Sequence, residues 1–259
     1  AIAPLSSQGT LAKNAYLGFF FNETFTEFDN ATDAIKHFDL NYIGLDMNVE
    51  RGGNNQKKFI LTPKGSNYSS FELRHASSGI QTTAPLIAMM NYYAQAFDFK
   101  LAQKRSIIDL LFEKNLTTQY RPEMELTDMP KYVHIHIEEP ELSLDPTSQI
   151  QMLNEIIRLA FYAKVDSREI GLVLATHSPY IINSLNLLMK AHDCKTDIDG
   201  AHISYDDLSV YQIVSGGVVD LKVKNIHYVN TDRLSEDINN IYDKYQELKQ
   251  LQNEESLGK

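Results

Sequence analysis

The spacing of apolar and polar positions changes character near residue 130, and the two halves predict different kinds of element. Residues 11 to 37 mix apolar and acidic positions without a clean stripe, which predicts one or two helices. "IGLDMNVERGGNNQKKFILT" then reads as two extended runs around a Gly-Gly-Asn-Asn turn, a β-hairpin. The polar loop "PKGSNYSS" leads through "FELRHASSGIQ" to a long helical stretch from Thr82 to about Leu116. Its apolar residues fall on more than one face, as in a helix buried in a larger body, and Pro85 has to lie in its first turn or kink it.

Past the proline-bearing loop "TTQYRPEMELTDMP" the pattern alternates: strand 132–137, helix 147–164, strand 170–175, helix 179–191. Alternating strands and helices with short connections predict an α/β fold, a parallel sheet covered by helices. "LSVYQIV" and "GVVDLKV" flank "SGG" as a second hairpin. In the tail, Leu234, Ile238, Ile241, Tyr245 and Leu248 recur in steps of four and three. Such a seam predicts a terminal helix packed on its own domain, with a second subunit as the alternative. The implied divisions are a helical and β-hairpin lobe segment over 1–75, an α/β core over 76–230 and a C-terminal helix over 231–259. No internal repeat or low-complexity segment interrupts them.

Composition narrows the class without altering this picture. With 259 residues and 43% hydrophobic content, the chain can bury one large core or two modest ones. A single cysteine, Cys194, excludes an internal disulfide framework and fits a reducing compartment, so a cytoplasmic location is expected. "AIAPLSSQGT" lacks the basic start and apolar stretch of a secretion signal. The longest apolar runs, such as "YLGFFF", fall far short of the roughly 20 residues that span a membrane, so no membrane is expected as a partner. A net charge of −10 argues against a broad electrostatic grip on nucleic acid, leaving room only for a local basic face. The first residue is Ala1 rather than methionine, which suggests a processed or excised piece.

The candidate chemistry lies in "VHIHIEEPELSLDPTSQ", an apolar strand that ends in Glu138, Glu139 and Glu141. In open α/β sheets, ligands bind beyond the carboxyl ends of the strands, where these acids sit. One carboxylate there can hold Mg²⁺ while its neighbour orients and deprotonates a water for attack on a phosphate. Asp145 and Pro146 then fit the N-cap and first position of a helix, which accounts for Asp145 without any ligand. The next strand, "IGLVLATHSP", stops at Thr176-His177, with Ser178 as cap and Pro179 as first helical residue, so His177 can reach the same ligand as Glu139. Upstream, Ser77, Ser78 and Gly79 precede a long helix, where small residues leave backbone N–H groups open to a phosphate, although Ser-Ser-Gly is also an ordinary loop.

Taken in order, "ASSGIQ", "VHIHIEEPELSLDPTSQ" and "LVLATHSP" resemble the signature motif, the Walker B strand with its D-loop, and the switch histidine of ABC-type ATPases. They are most similar to the branch of AAA family ATPases that includes RecF, SMC, OLD-family and PtuA-like proteins, and they span residues 76 to 179. The resemblance implies the C-terminal part of a P-loop ABC-type core with ATP and Mg²⁺ as ligands. It implies Glu138 as the metal-associated acid, Glu139 as the catalytic base and His177 as the sensor of the γ-phosphate. It also implies Ser77, Ser78 and Gly79 as residues that cap the ATP of a second copy in an ATP-sandwich dimer, with Asp145 contacting that copy. Glu141 receives no role. Relatives of this branch act in DNA repair, chromosome maintenance or antiviral defence, often beside a nuclease. DNA and a nuclease partner are therefore left open, and any cleavage would belong to the partner.

Two features depart from the family pattern. Glu138 stands where most relatives carry aspartate, and the chain contains no G-x-x-x-x-G-K-[ST] loop. Only 76 residues precede Ser77, and their glycine cluster "RGGNN" lacks the Lys-Ser/Thr pair. The expectation is a C-terminal portion whose Walker A lobe has been cut away or lies on another chain, so that the fragment alone is inactive. Two other classes compete with this one. His134 and His136 share a strand face with Glu138, and His-x-His-x-Glu together with His177 could hold zinc in a hydrolase, although burial of both histidines under a helix is the plainer expectation. A degenerate half retained only for dimerisation is the third.

Overall fold

The computed structural model describes residues 18–53, 56–65, 68–115, 130–223 and 225–257. They belong to two compact units, and the chain passes from one to the other between Thr176 and His177, inside the stretch expected to form one α/β core over 76–230. The architecture is mixed α/β with small sheets, and among the described residues only one of the four sheets is parallel.

In the first unit, helix α1 (Gly18–Ala34) precedes strands β1 (His37–Leu40), β2 (Leu45–Arg51), β3 (Lys57–Pro63) and β4 (Phe71–Glu72), an antiparallel sheet in sequence order. The expected hairpin is β2–β3, in register from Leu45 opposite Pro63 to Arg51 opposite Lys57. Alternation sends Phe38, Leu40, Leu45, Met47 and Leu61 inward, and Phe28 of α1 meets the Phe59 ring with centroids 5.0 Å apart.

The long helix expected over 82–116 is in fact two. Helix α2 (Ser78–Asn91) starts earlier because the Ser77 hydroxyl caps it, and it runs into a π-helical turn over Tyr92–Ala96. Helix α3 (Phe99–Glu113) begins anew because the Asp98 carboxylate accepts the Leu101 N–H, while the rings of Tyr92, Tyr93, Phe97 and Phe99 pack in the corner between them. Pro85 therefore lies inside α2, buried, rather than in its first turn. The loop expected at 117–130 falls almost wholly outside the described residues.

Strand β5 (Tyr132–Glu138), helix α4 (Pro146–Ile157), a π-helical turn (Arg158–Tyr162) and strand β6 (Glu169–Ala175) form the expected β-α-β unit. The strands pair in parallel from Tyr132 beside Glu169 to Glu138 beside Ala175. Arg168 anchors the start of β6: its buried guanidinium donates to the Tyr93 carbonyl at 2.8 Å and to Asp166 at 3.2 Å, and lies 5.5 Å from the centroid of the Phe99 ring. One face of the pair carries Val133, Ile135, Ile137, Ile170, Leu172 and Leu174, partly or fully buried, while Met152, Leu153, Ile156 and Ile157 of α4 are buried. The other face carries Tyr132, His134, His136 and Glu138, all exposed. The burial expected for both histidines is therefore corrected: they are exposed, and among the described residues only one face of this two-stranded piece is covered.

The second unit holds helix α5 (Pro179–Asp193), the hairpin β7 (Tyr211–Val214) and β8 (Gly217–Asp220), the pair β9 (Lys222–Val223) and β10 (Tyr228–Val229), and helix α6 (Asp232–Leu257). The Asn186 side chain bonds both backbone groups of Val229, donating to its carbonyl at 3.0 Å and accepting its N–H at 2.7 Å, which seats β10 on α5. Ile181, Leu185, Leu188, Tyr205, Val210, Leu221 and Val229 are buried in this unit. The α6 seam is not packed on its own domain where its side chains are described: Ile241, Tyr245 and Leu248 are 72%, 60% and 64% exposed. A heptad-like spacing creates an apolar stripe without supplying its cover. No helix among the described residues is long and apolar enough to cross a membrane.

Leu153→Ala, at a fully buried site, is expected to destabilise the first unit by about 2–5 kcal/mol. Ile213→Ala, at 86% exposure, is expected to change stability by less than about 0.5 kcal/mol. Urea unfolding of the two variants checks the contrast.

Candidate functional site at the carboxyl end of the parallel pair

The site is built on strand register. Because β5 and β6 run in parallel, Glu138 stands level with Ala175, and both strands deliver their carboxyl ends to the same edge of the unit. The Glu139 N–H donates to the Ala175 carbonyl at 2.8 Å, so the pairing continues one residue past β5. Glu139 then turns sharply, with φ 45°, a left-handed conformation that residues other than glycine, asparagine and aspartate seldom adopt. Such backbone persists where surrounding contacts over-determine it, and it clusters at functional sites. Glu138 and Glu139 are both exposed, and Pro140, immediately after them, is buried.

The connection from β5 to α4 is a compact turn. Leu142 N–H donates to the Glu139 carbonyl, Leu144 N–H to the Glu141 carbonyl, and Ser143 takes a second left-handed conformation at φ 62°. Asp145 closes it as the α4 N-cap, accepting from the N–H groups of Thr147 and Ser148, with Pro146 following at the helix start. The Ser148 hydroxyl also donates to Asp145, and this bond, ahead of the backbone N–H groups, holds its carboxyl below the usual carboxylate range.

The start of α2 packs against this turn. A methyl group on Gly79 would come 2.5 Å from the Ser143 carbonyl oxygen and 2.9 Å from Leu144 Cδ2, so a side chain is excluded by close approach rather than by backbone angle. Ser77 and Ser78 are exposed and Gly79 is buried. Thr83 ties the helix down: its hydroxyl donates to the Gly79 carbonyl at 2.9 Å, which leaves Tyr42 to donate to Thr83 at 2.6 Å. Burial, more than any neighbouring charge, raises the Tyr42 phenol above its ordinary value. The first unit thus brings Ser77–Gly79 to the turn that links Glu139 with Asp145, across more than sixty residues of chain.

His177, exposed, is the first residue of the second unit and lies two positions past Ala175 in the chain. Its neighbour Ser178 caps α5 as expected, accepting from the N–H groups of Tyr180 and Ile181, with Pro179 at the helix start. The histidine pair of β5 does not form the zinc set of the competing hydrolase reading. His134 and His136 meet edge to face with centroids 4.6 Å apart, and no group of three or more His, Cys, Asp or Glu among the described residues is placed to hold a metal ion.

One contact has no signature in the sequence. The Thr176 hydroxyl donates to Glu141 Oε1 at 2.7 Å, bridging the residue after β6 to the turn after β5. No local pattern marks it, because its partners are thirty-five residues apart and neither type is unusual at its position.

No model of a known protein family matches this chain, and no curated protein matches it either.

The lowered pKa of Asp145 predicts a pH dependence. The folded state favours the charged form, so the cap contributes stability above the unfolded carboxylate value of about 4 and loses it as pH falls through the lower folded value. Asp145→Asn, which still caps, is expected to remove that part of the acid dependence while leaving neutral stability near wild type, as followed by circular dichroism on acid titration.

Proposed function

We propose that this chain is the signature-to-switch portion of an ABC-type ATPase, working with a Walker A lobe carried elsewhere and with a second copy of itself around ATP. The observation that carries the reading is the parallel register that sets Glu138 beside Ala175, with Glu139 bonded to it and Thr176-His177 next in the chain. The start of α2 against the Ser143 turn supports it independently, because Ser77–Gly79 and Asp145 are the two segments that the resemblance assigns to the partner copy.

The residues present suit the ligands. Glu138 and Glu139 are exposed oxygen donors of the hard type that Mg²⁺ takes, and the N-terminus of α2, led by two exposed serines, presents N–H groups and a positive dipole end suited to phosphate. When bound, Mg²⁺ neutralises charge on the phosphate oxygens. Glu138 is assigned to hold it. Glu139, the next residue in the chain, is assigned to accept the proton of an attacking water. His177 donates a hydrogen bond to the terminal phosphate. The longer reach of glutamate at 138, compared with aspartate, is accommodated by the exposed strand face on which it stands.

The bare outer face of β5 and β6 supports a partner lobe. Parallel sheets are ordinarily covered on both faces, yet among the described residues this pair has no third strand, and its Tyr132–Glu138 face is open. A lobe that completes the sheet would bring its phosphate-cradling loop to the same carboxyl ends. Action in DNA maintenance or antiviral defence, with a nuclease partner and DNA as a ligand, belongs to this proposal through the resemblance alone, and a cytoplasmic location through the single cysteine.

The chain alone is expected to show no Mg²⁺-dependent ATP turnover. Turnover is expected once it is joined to the lobe bearing the Walker A loop, and Glu139→Gln should lower kcat by about 10²- to 10⁴-fold with ATP binding retained. Phosphate release by the isolated chain would refute the split site.

A further inference from the structure

The third glutamate of "EEPE" has no part in the chemistry proposed above, yet it makes a side-chain bond between the two strand ends. Glu141 Oε1 accepts the Thr176 hydroxyl at 2.7 Å in a partly buried setting. Glu141 sits two residues after Glu139, on the turn closed by the Leu142-to-Glu139 and Leu144-to-Glu141 backbone bonds. Thr176 immediately follows Ala175, whose carbonyl accepts the Glu139 N–H. Backbone bond and side-chain bond together close a ring through residues 139–141 and 175–176.

We infer that Glu141 is a positioning residue: through Thr176 it locks the end of β6 to the turn that carries Glu139. The backbone bond fixes one point where the turn meets β6, and the side-chain bond adds a second that opposes rotation about it. The strained φ of Glu139 makes the lock consequential, since a left-handed glutamate relaxes toward ordinary backbone wherever the turn is free to move. Thr176 is also the residue to which His177 is bonded, so the lock fixes where that chain segment leaves β6. The charge of Glu141 is not what the bond needs. An acceptor oxygen at the same place suffices, which separates this role from metal or proton chemistry.

The inference rests on the ATPase reading for its effect on turnover, but not for the lock itself, so the test has two arms. In the assembly of this chain with its Walker A lobe, Glu141→Ala and the isosteric Thr176→Val should each lower kcat about 10- to 100-fold with KM for ATP little changed. Glu141→Gln and Thr176→Ser, which preserve the bond, should stay near wild type. The double variant should be no worse than either single one, since both remove the same contact. In the second arm, hydrogen exchange on the chain should speed up at the Glu139 and Leu142 amides in Glu141→Ala and Thr176→Val, but not in Glu141→Gln. Multiplicative losses in the double variant, or loss in Glu141→Gln equal to that in Glu141→Ala, would overturn the positioning role. Unchanged exchange would overturn the lock. An assembly whose wild type hydrolyses no ATP would overturn the proposed function, and the exchange arm would still decide the lock.

Discussion

The parallel pairing of β5 with β6 is the constraint on which the rest of the candidate site depends. Side by side and in register, the two strands place Glu138 and Ala175 at the same end. Had they paired antiparallel, the same residues would lie about 20 Å apart, six residues of strand at roughly 3.3 Å each. The buried face of Val133, Ile135, Ile137, Ile170, Leu172 and Leu174 fixes this register, because a slip of one residue would turn those side chains to the open face. Arg168 holds the other end of β6 through Tyr93, so the strand is tied at its start by a guanidinium and just past its end by the Thr176 hydroxyl.

Helix starts supply the second organising element. Ser77, Asp98, Asp145 and Ser178 each cap a helix with a side-chain oxygen, and two of these starts, α2 and α4, meet where Gly79 lies against Ser143. Caps of this kind commit the chain direction locally, before tertiary contacts form. Their meeting is possible only because Gly79 presents no side chain to the Ser143 carbonyl. A small-residue turn that reads as an ordinary loop in the sequence is thereby given a specific packing reason.

Much of this was legible in advance, and the failures have identifiable causes. Strands 132–137 and 170–175 and the caps at Asp145 and Ser178 rest on short-range signals, apolar runs and Asp-Pro or Ser-Pro pairs, and each appears within a residue of its expected place. The hairpin around "GGNN" is there for the same reason. The helical pattern over 82–116 is broken in the structure: apolar content on several faces does not reveal a break, and the break is made by Asp98 capping and aromatic packing at Phe97. A doubly wound sheet has two covered faces and would bury the histidines of β5 under a helix, whereas among the described residues this pair has one covered face.

By itself, the sequence determined the ordered elements of the β-α-β unit, the placement of Glu138 and Glu139 at a strand end, and the absence of a Walker A loop, since each depends on residues near one another in the chain. Tertiary structure alone decided that β5 and β6 are neighbours in register, that Gly79 meets Ser143, that Tyr42 reaches Thr83, and that Glu141 accepts the Thr176 hydroxyl. These contacts join residues between thirty-five and sixty-four positions apart. Periodicity and propensity act over a few residues, whereas contacts at such separations exist only once the core has closed and set two distant backbones at bonding distance.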